Sequence, residues 1–147
     1  MSVEVDDRAD CGVAPAAVAD VVRAVLAAED VGACEVGVVL VDEHEMREIN
    51  REHRGRDEPT DVLSFPIDEE DELPGVDRML GDVVICVPVL ERQAGENDVA
   101  PGDELVDLLV HGVLHLLGYD HETDQGEMLA RQDAIVDGLV AIDWPGA

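Results

Sequence analysis

The segment from Leu108 to His121 constrains this chain more than any other. Leu108, Leu109, Val110, Val113, Leu114, Leu116 and Leu117 are apolar, and His111 and His115 stand four apart among them. Such a run predicts a buried helix, and that spacing stacks two imidazoles on one face, about 6 Å apart along the axis. His121 comes six residues after His115, and on a continuing helix it would point about 240° away. Gly118 removes that problem. A glycine there takes the left-handed conformation that ends a helix, so the chain can turn and bring His121 back towards the other two. A lone histidine on such a face reads as a satisfied core residue. Three at this spacing read as a cup with an open fourth position, the arrangement of catalytic rather than structural zinc. Buried neutral imidazoles without partners are costly, and a shared metal satisfies all three.

The spacing H-x3-H-x2-G-x2-H is also that of the metzincin peptidases. Their glutamate, the general base, follows the first histidine. Here that position is Gly112, so the cup is similar to a peptidase's and the base is not.

The chain has 147 residues, which predicts one domain over 1–147 with a proper core. Only 2 % of residues are aromatic, so that core must be built from Val, Leu, Ile and Ala. The N-terminus, Met1 to Asp7, is acidic and lacks the apolar stretch of a signal peptide, and no run approaches a membrane span. Cys11, Cys34 and Cys86 are scattered and odd in number, which predicts reduced thiols, small core hydrophobes and a cytoplasmic location.

Thirty-six Asp and Glu face nine basic residues, all of them Arg, for a net charge of −27. Taken alone this argues against a nucleic-acid partner, because a polyanion is repelled. An adaptation to a host with molar internal salt is the other reading. At about 1 M salt the Debye length is roughly 3 Å, and only contacts at the site decide binding.

Val3 to Val5 predicts a short strand. Pro15 suits a helix start, and Val18, Val21, Val22, Val25 and Leu26 repeat with helical period until Gly32. Cys34 to Val41 predicts a buried strand. Asp42 is an N-cap with Glu45 placed as in a capping box, opening a helix to about His53 with Met46 and Ile49 inward. Val62 to Phe65, between Pro59 and Pro66, predicts an edge strand beside the metal cleft. Residues 67–80 predict an acidic, mobile loop, Gly81–Val87 a buried strand, and Pro88 to about Asn97 a helix. Asp103 is expected to cap the apolar helix, with Glu104 starting it. Thr123 to Val140 predicts a last amphipathic helix with Met128, Leu129, Ile135, Val136, Leu139 and Val140 inward. The sum is an α+β (α/β-like) single domain, a small sheet packed with helices around the apolar helix that carries the histidines.

Four of the nine arginines lie between 47 and 56. Charge complementing a helix C-terminus accounts for Arg51 and, at most, Arg54 beside it. The residues after this cluster, Asp57-x-Pro59-Thr60-Asp61-Val62-Leu63-Ser64-Phe65-Pro66, together with Asn50-x-x-x-Arg54, Leu80-Gly81-Asp82-Val83-Val84-Ile85, Glu104 and His111-Gly112-x-x-His115-Leu116-x-Gly118-Tyr119-Asp120-His121, resemble the signatures of the YbeY family of bacterial endoribonucleases. The resemblance runs in order over roughly residues 35 to 130. It implies a mixed four-stranded sheet with surrounding helices and one Zn2+ on His111, His115 and His121. It implies cleavage of single-stranded ribosomal RNA, maturation of the 3′ end of 16S ribosomal RNA, ribosome quality control and the small ribosomal subunit as partner. By the same resemblance Arg54 is the functional arginine near the metal. The chain departs from the family in its acidity and its lack of Lys.

The residues agree with that chemistry. Zinc on three imidazoles brings its water to a pKa of about 7 and polarises a phosphoryl oxygen, and Arg54 can clamp a phosphate bidentately. With Gly at 112 the general base stays open among Asp61, Asp82 and Asp120, or zinc-bound hydroxide acts alone. Met128 reads as core rather than as a metzincin Met-turn. The competing functions are a non-catalytic ribosome-binding assembly factor with a structural zinc and, less favoured, a metzincin-like peptidase. Oligomeric state is not legible.

Overall fold

The computed structural model of the chain describes residues 2–67, 78–120 and 123–145. In chain order the elements are β1 (Ser2–Asp7), α1 (Pro15–Ala28), β2 (Cys34–Val41), α2 (Glu43–Arg54), β3 (Val62–Pro66), β4 (Arg78–Cys86), α3 (Val87–Glu96), α4 (Pro101–Leu116) and α5 (Glu127–Asp137). The strands form one sheet in the order β1-β2-β4-β3. β1, β2 and β4 are parallel, and β3 runs antiparallel to β4 on the edge. This is the expected α+β domain with a mixed four-stranded sheet, and β3 is the expected edge strand.

The alternation along β2 divides the core in two. Cys34, Val36, Val38 and Leu40 join Val83 and Ile85 of β4 beneath Val18, Val22, Val25 and Leu26 of α1 and Leu105, Leu109 and Leu114 of α4. On the other face Val41, Val84, Cys86 and Leu63 meet Met46 of α2 and Val89 of α3. With so few aromatics, the larger core is an aliphatic layer. Burying one such side chain contributes about 1.5–3 kcal/mol.

The ends of the elements show where local chemistry decided. Asp42 caps α2 as expected, its carboxylate accepting from Glu45 N at 2.8 Å. The Glu45 carboxylate takes Arg8 Nη1 at 2.6 Å. Gly118 stands at φ 100° and ends α4. Tyr119 N donates to Leu114 O at 3.1 Å and Gly118 N to His115 O at 3.0 Å, the paired bonds of a Schellman turn.

Other expectations are corrected. α1 ends at Ala28, short of Gly32, with Asp30 in the left-handed region at φ 56°. α4 begins at Pro101, so Asp103 lies in its first turn and is not the cap. Proline at the first helical position needs no donor and presets φ. β4 begins at Arg78, inside the expected loop, and Val87 opens α3 rather than closing the strand. The remainder of that loop, 68–77, lies outside the described residues. α5 is confined to Glu127–Asp137, and Leu129 and Val140 are exposed rather than inward. Met128 is fully buried, as core. Among the described residues no helix is long and apolar enough to cross a membrane.

Candidate functional site

β3 leaves one edge of its backbone uncovered, and α4 crosses the sheet beside it. Ser64 Oγ donates to Gly112 O at 2.9 Å and ties the strand to the helix. Between them opens a cleft of about 690 Å³, closed by the end of α2, by residues 60–61, by the turn 118–120 and by α5. Arg54, Asp61, Glu104, Asp107, His111, His115, Asp120 and Gln132 all line it.

The two histidines meet as their spacing demands. His111 Nε2 and His115 Nε2 are 3.1 Å apart, and the rings cross at 77°. Their other nitrogens are held. His115 Nδ1 is 3.0 Å from Tyr119 O, and a carbonyl only accepts, so Nδ1 carries the proton. His111 Nδ1 is 2.8 Å from Gln132 Oε1, and Gln132 Nε2 donates to Asp107 Oδ1 at 2.8 Å. The Asp107 carboxylate only accepts, which fixes the Gln132 amide with its oxygen towards His111. His111 Nδ1 therefore donates. Both Nε2 lone pairs converge on one point at the cleft wall, an arrangement that favours a shared cation.

That wall is braced from behind. Tyr119 Oη donates to Glu29 Oε2 at 2.8 Å, and this bond to a carboxylate pushes the phenol pKa up. Arg131 Nε binds the same carboxylate, and Arg131 Nη2 donates to Ala28 O at 2.7 Å. Arg131 and Gln132 are neighbours on α5, so one helix steadies both histidines, one through an amide and the other through Glu29 and Tyr119.

Gly112 has a packing reason. A Cβ built there would lie 2.6 Å from Val83 Cγ1. Position 112 presses on the sheet and does not face the cleft, so a metzincin-type glutamate has no room. Asp82 is corrected as a candidate base. It shares the face of β4 with Val84, away from α4, and its Oδ1 fills the space that a Cβ on Gly37 would take. Asp61 and Asp120 do line the cleft. Asp61 Oδ1 accepts from Val62 N at 2.7 Å. Glu104 has its pKa raised, first by burial and then by the charges of Asp107 and Asp61. Arg54 is exposed at the cleft and makes no ion pair among the described residues. His121 lies outside the described residues. Among those described, no group of three His, Cys, Asp or Glu side chains is placed to hold a metal ion.

Sequence reasoning missed Asp107 and Gln132. Both left a trace. Asp107 is four residues before His111 on one helical face, and Gln132 is a polar residue on the inward stripe Met128, Gln132, Ile135.

The family model described as endoribonuclease YbeY matches residues 6–140. The chain belongs to the YbeY family. An endoribonuclease YbeY of Moorella thermoacetica is 51 % identical over 128 residues, covering 81 % of this chain and 82 % of the relative. One from Sulfurihydrogenibium is 45 % identical over 124 residues, covering 82 % and 80 %. A solution structure of a Thermotoga maritima protein superposes with TM-score 0.63 at 31 % identity, covering 92 % of this chain and 87 % of that one. The span matched to the YbeY model takes in Arg54, Asp107, His111, His115, His121 and Gln132, so the whole cleft lies within it.

Proposed function

We propose that this chain is a zinc-dependent endoribonuclease that cuts single-stranded ribosomal RNA, maturing the 3′ end of 16S ribosomal RNA and serving ribosome quality control beside the small ribosomal subunit in the cytoplasm. The observation that carries the chemistry is the convergence of the His111 and His115 Nε2 lone pairs 3.1 Å apart in a cleft that also holds Arg54. Two nitrogens at about 2.0–2.1 Å from a tetrahedral zinc stand roughly 3.3 Å apart. The pair fits that donor set, and His121 is the third ligand by the family's motif. The names of the relatives support RNA as substrate.

When bound, zinc supplies Lewis acidity to the phosphodiester. The protein does the rest. Arg54 grips the phosphate and stabilises the charge that develops on its oxygens. Glu104, Asp107 and Asp61 form an acidic wall that repels phosphate and leaves the Arg54 end as the favourable berth. As a water oxygen bonds to phosphorus, Asp61 or Asp120 accepts its proton, and the ribose oxygen whose bond to phosphorus breaks is protonated from solvent.

The test is cleavage of a single-stranded 16S 3′ fragment in molar KCl by the zinc-loaded protein. His115→Ala should abolish it. Arg54→Ala should lower kcat by about 10²–10³-fold, the usual cost of removing one preorganised donor. Full activity of Arg54→Ala would remove Arg54 from the mechanism. No cleavage by folded, zinc-loaded protein would overturn the reading and favour a non-catalytic ribosome-binding factor.

A further inference from the structure

Beyond its first residue, Glu43, the exposed surface of α2 is sorted by charge. At about 100° per residue, Arg47, Arg51 and Arg54 fall within roughly 60° of one another, and Glu45, Glu48 and Glu52 fall on another strip of similar width. Arg47 and Arg51 have acids within reach on their own helix, Glu43 four residues before Arg47 and Glu48 three before Arg51. Both acids are engaged elsewhere. Glu43 Oε1 is held by Arg92 Nη1 at 2.9 Å. Glu48 Oε1 lies 3.2 Å from His44 Nε2. Among the described residues Arg47, Arg51 and Arg54 make no ion pair, whereas Arg8, Arg23, Arg56, Arg92 and Arg131 all do.

In a chain of net charge −27, where acids outnumber bases four to one, three neighbouring arginines left without an acidic partner stand out. The helix dipole favours Arg51 and Arg54 in the last turn, but its influence fades within a turn and does not reach Arg47. The strip is directional as well. Its last member, Arg54, lines the cleft, and Arg47 lies about 10.5 Å further back along the helix axis.

We infer that Arg47 and Arg51 form a docking track for the sugar–phosphate backbone of single-stranded RNA, delivering the strand to Arg54 and the cleft. The inference rests on the ribonuclease reading for its ligand but not for its test. Guanidinium groups suit phosphate because they offer planar, bidentate donors and shed water readily. In high salt, where distant acids are screened, a few unpaired arginines at contact distance are what a polyanion meets. An acidic protein surface is the competing occupant.

The experiment measures binding of a labelled single-stranded RNA that extends beyond the cleft, across a KCl series, with chelator present so that nothing is cut. Each phosphate contact on a single strand adds about 0.7 to the slope of log K against log salt. The Arg47→Ala/Arg51→Ala double variant should therefore lose about 1.4 of slope relative to Arg8→Ala/Arg23→Ala, which removes the same charge elsewhere. The Arg47→Lys/Arg51→Lys variant, which keeps the charge, should retain most of the slope. Equal slopes for the two alanine doubles would overturn the track and point to an acidic protein as the occupant. If the wild type cuts RNA yet these slopes agree, only the track falls. If the slopes differ and nothing is cut when zinc is restored, only the nuclease reading falls.

Discussion

Gln132 Oε1 stands 2.8 Å from His111 Nδ1, and its amide nitrogen is engaged by Asp107. This relay thus decides which imidazole nitrogen carries the proton and leaves the Nε2 lone pair towards the cleft. Asp107→Asn keeps the shape but lets the Gln132 amide turn over, because an asparagine amide can donate where the carboxylate could only accept. His111 Nδ1 would then accept a bond and Nε2 would carry the proton. We expect zinc affinity, by chelator competition, to fall about 10–100-fold. Long-range nitrogen–proton NMR of the metal-free protein at neutral pH should show the Nε2–H tautomer gaining population. An unchanged tautomer in Asp107→Asn would mean that the relay does not orient His111, whatever the metal does.

Gly112 should not tolerate a side chain. Alanine there gains about 1 kcal/mol of helix propensity. Its Cβ would nevertheless sit 2.6 Å from Val83 Cγ1 and 3.2 Å from Cγ2. Val83 is fully buried and β-branched, so it cannot swing aside. Overpacking of this kind costs about 1–3 kcal/mol and wins. Denaturant melts should find Gly112→Ala destabilised, and favourable coupling with Val83→Ala would confirm the contact. Stabilisation of the single variant would refute it.

How much was legible in the sequence follows the range of the interactions. His111 and His115 are one helical turn apart, so their meeting follows from local geometry alone, and Asp42 and Gly118 act within a few residues of themselves. β2 ended where its β-branched run ended. Asp82 was not legible, because buried runs on both sides of β4 hide which face a residue takes. Gln132 was not legible, because its role needs α5 packed on α4, twenty-one residues from His111. Asp103 looked like a cap, yet Pro101 had already started the helix.

Glu104 should make the domain less stable as pH rises. Burial, then Asp107 and Asp61, hold its folded pKa above that of the unfolded chain. Between the two values the folded state binds more protons, so unfolding free energy declines with increasing pH through that window. Glu104→Gln removes the protonation difference. It should raise Tm at neutral pH and flatten the profile just above the ordinary glutamate range. The effect is modest because the side chain is partly solvated. A Tm for Glu104→Gln below wild type at pH 7 would show that the carboxylate stabilises the cleft instead.

Salt should stabilise the fold. At −27 the compact state works against its own charge, and raising KCl to about 1 M shortens the Debye length to roughly 3 Å. The same screening weakens exposed pairs such as Arg8–Asp6 and Arg92–Glu43, but solvent already leaves such surface pairs little to contribute. Repulsion among many unpaired carboxylates is the larger sum, so its relief decides the sign. Going from about 0.1 to 1 M KCl should raise Tm by about 5 °C or more, the shift that ~1–2 kcal/mol gives in a domain of this size. Equal Tm values at low and high salt would mean that the acidic surface carries no net strain in this fold and is not an adaptation to salt.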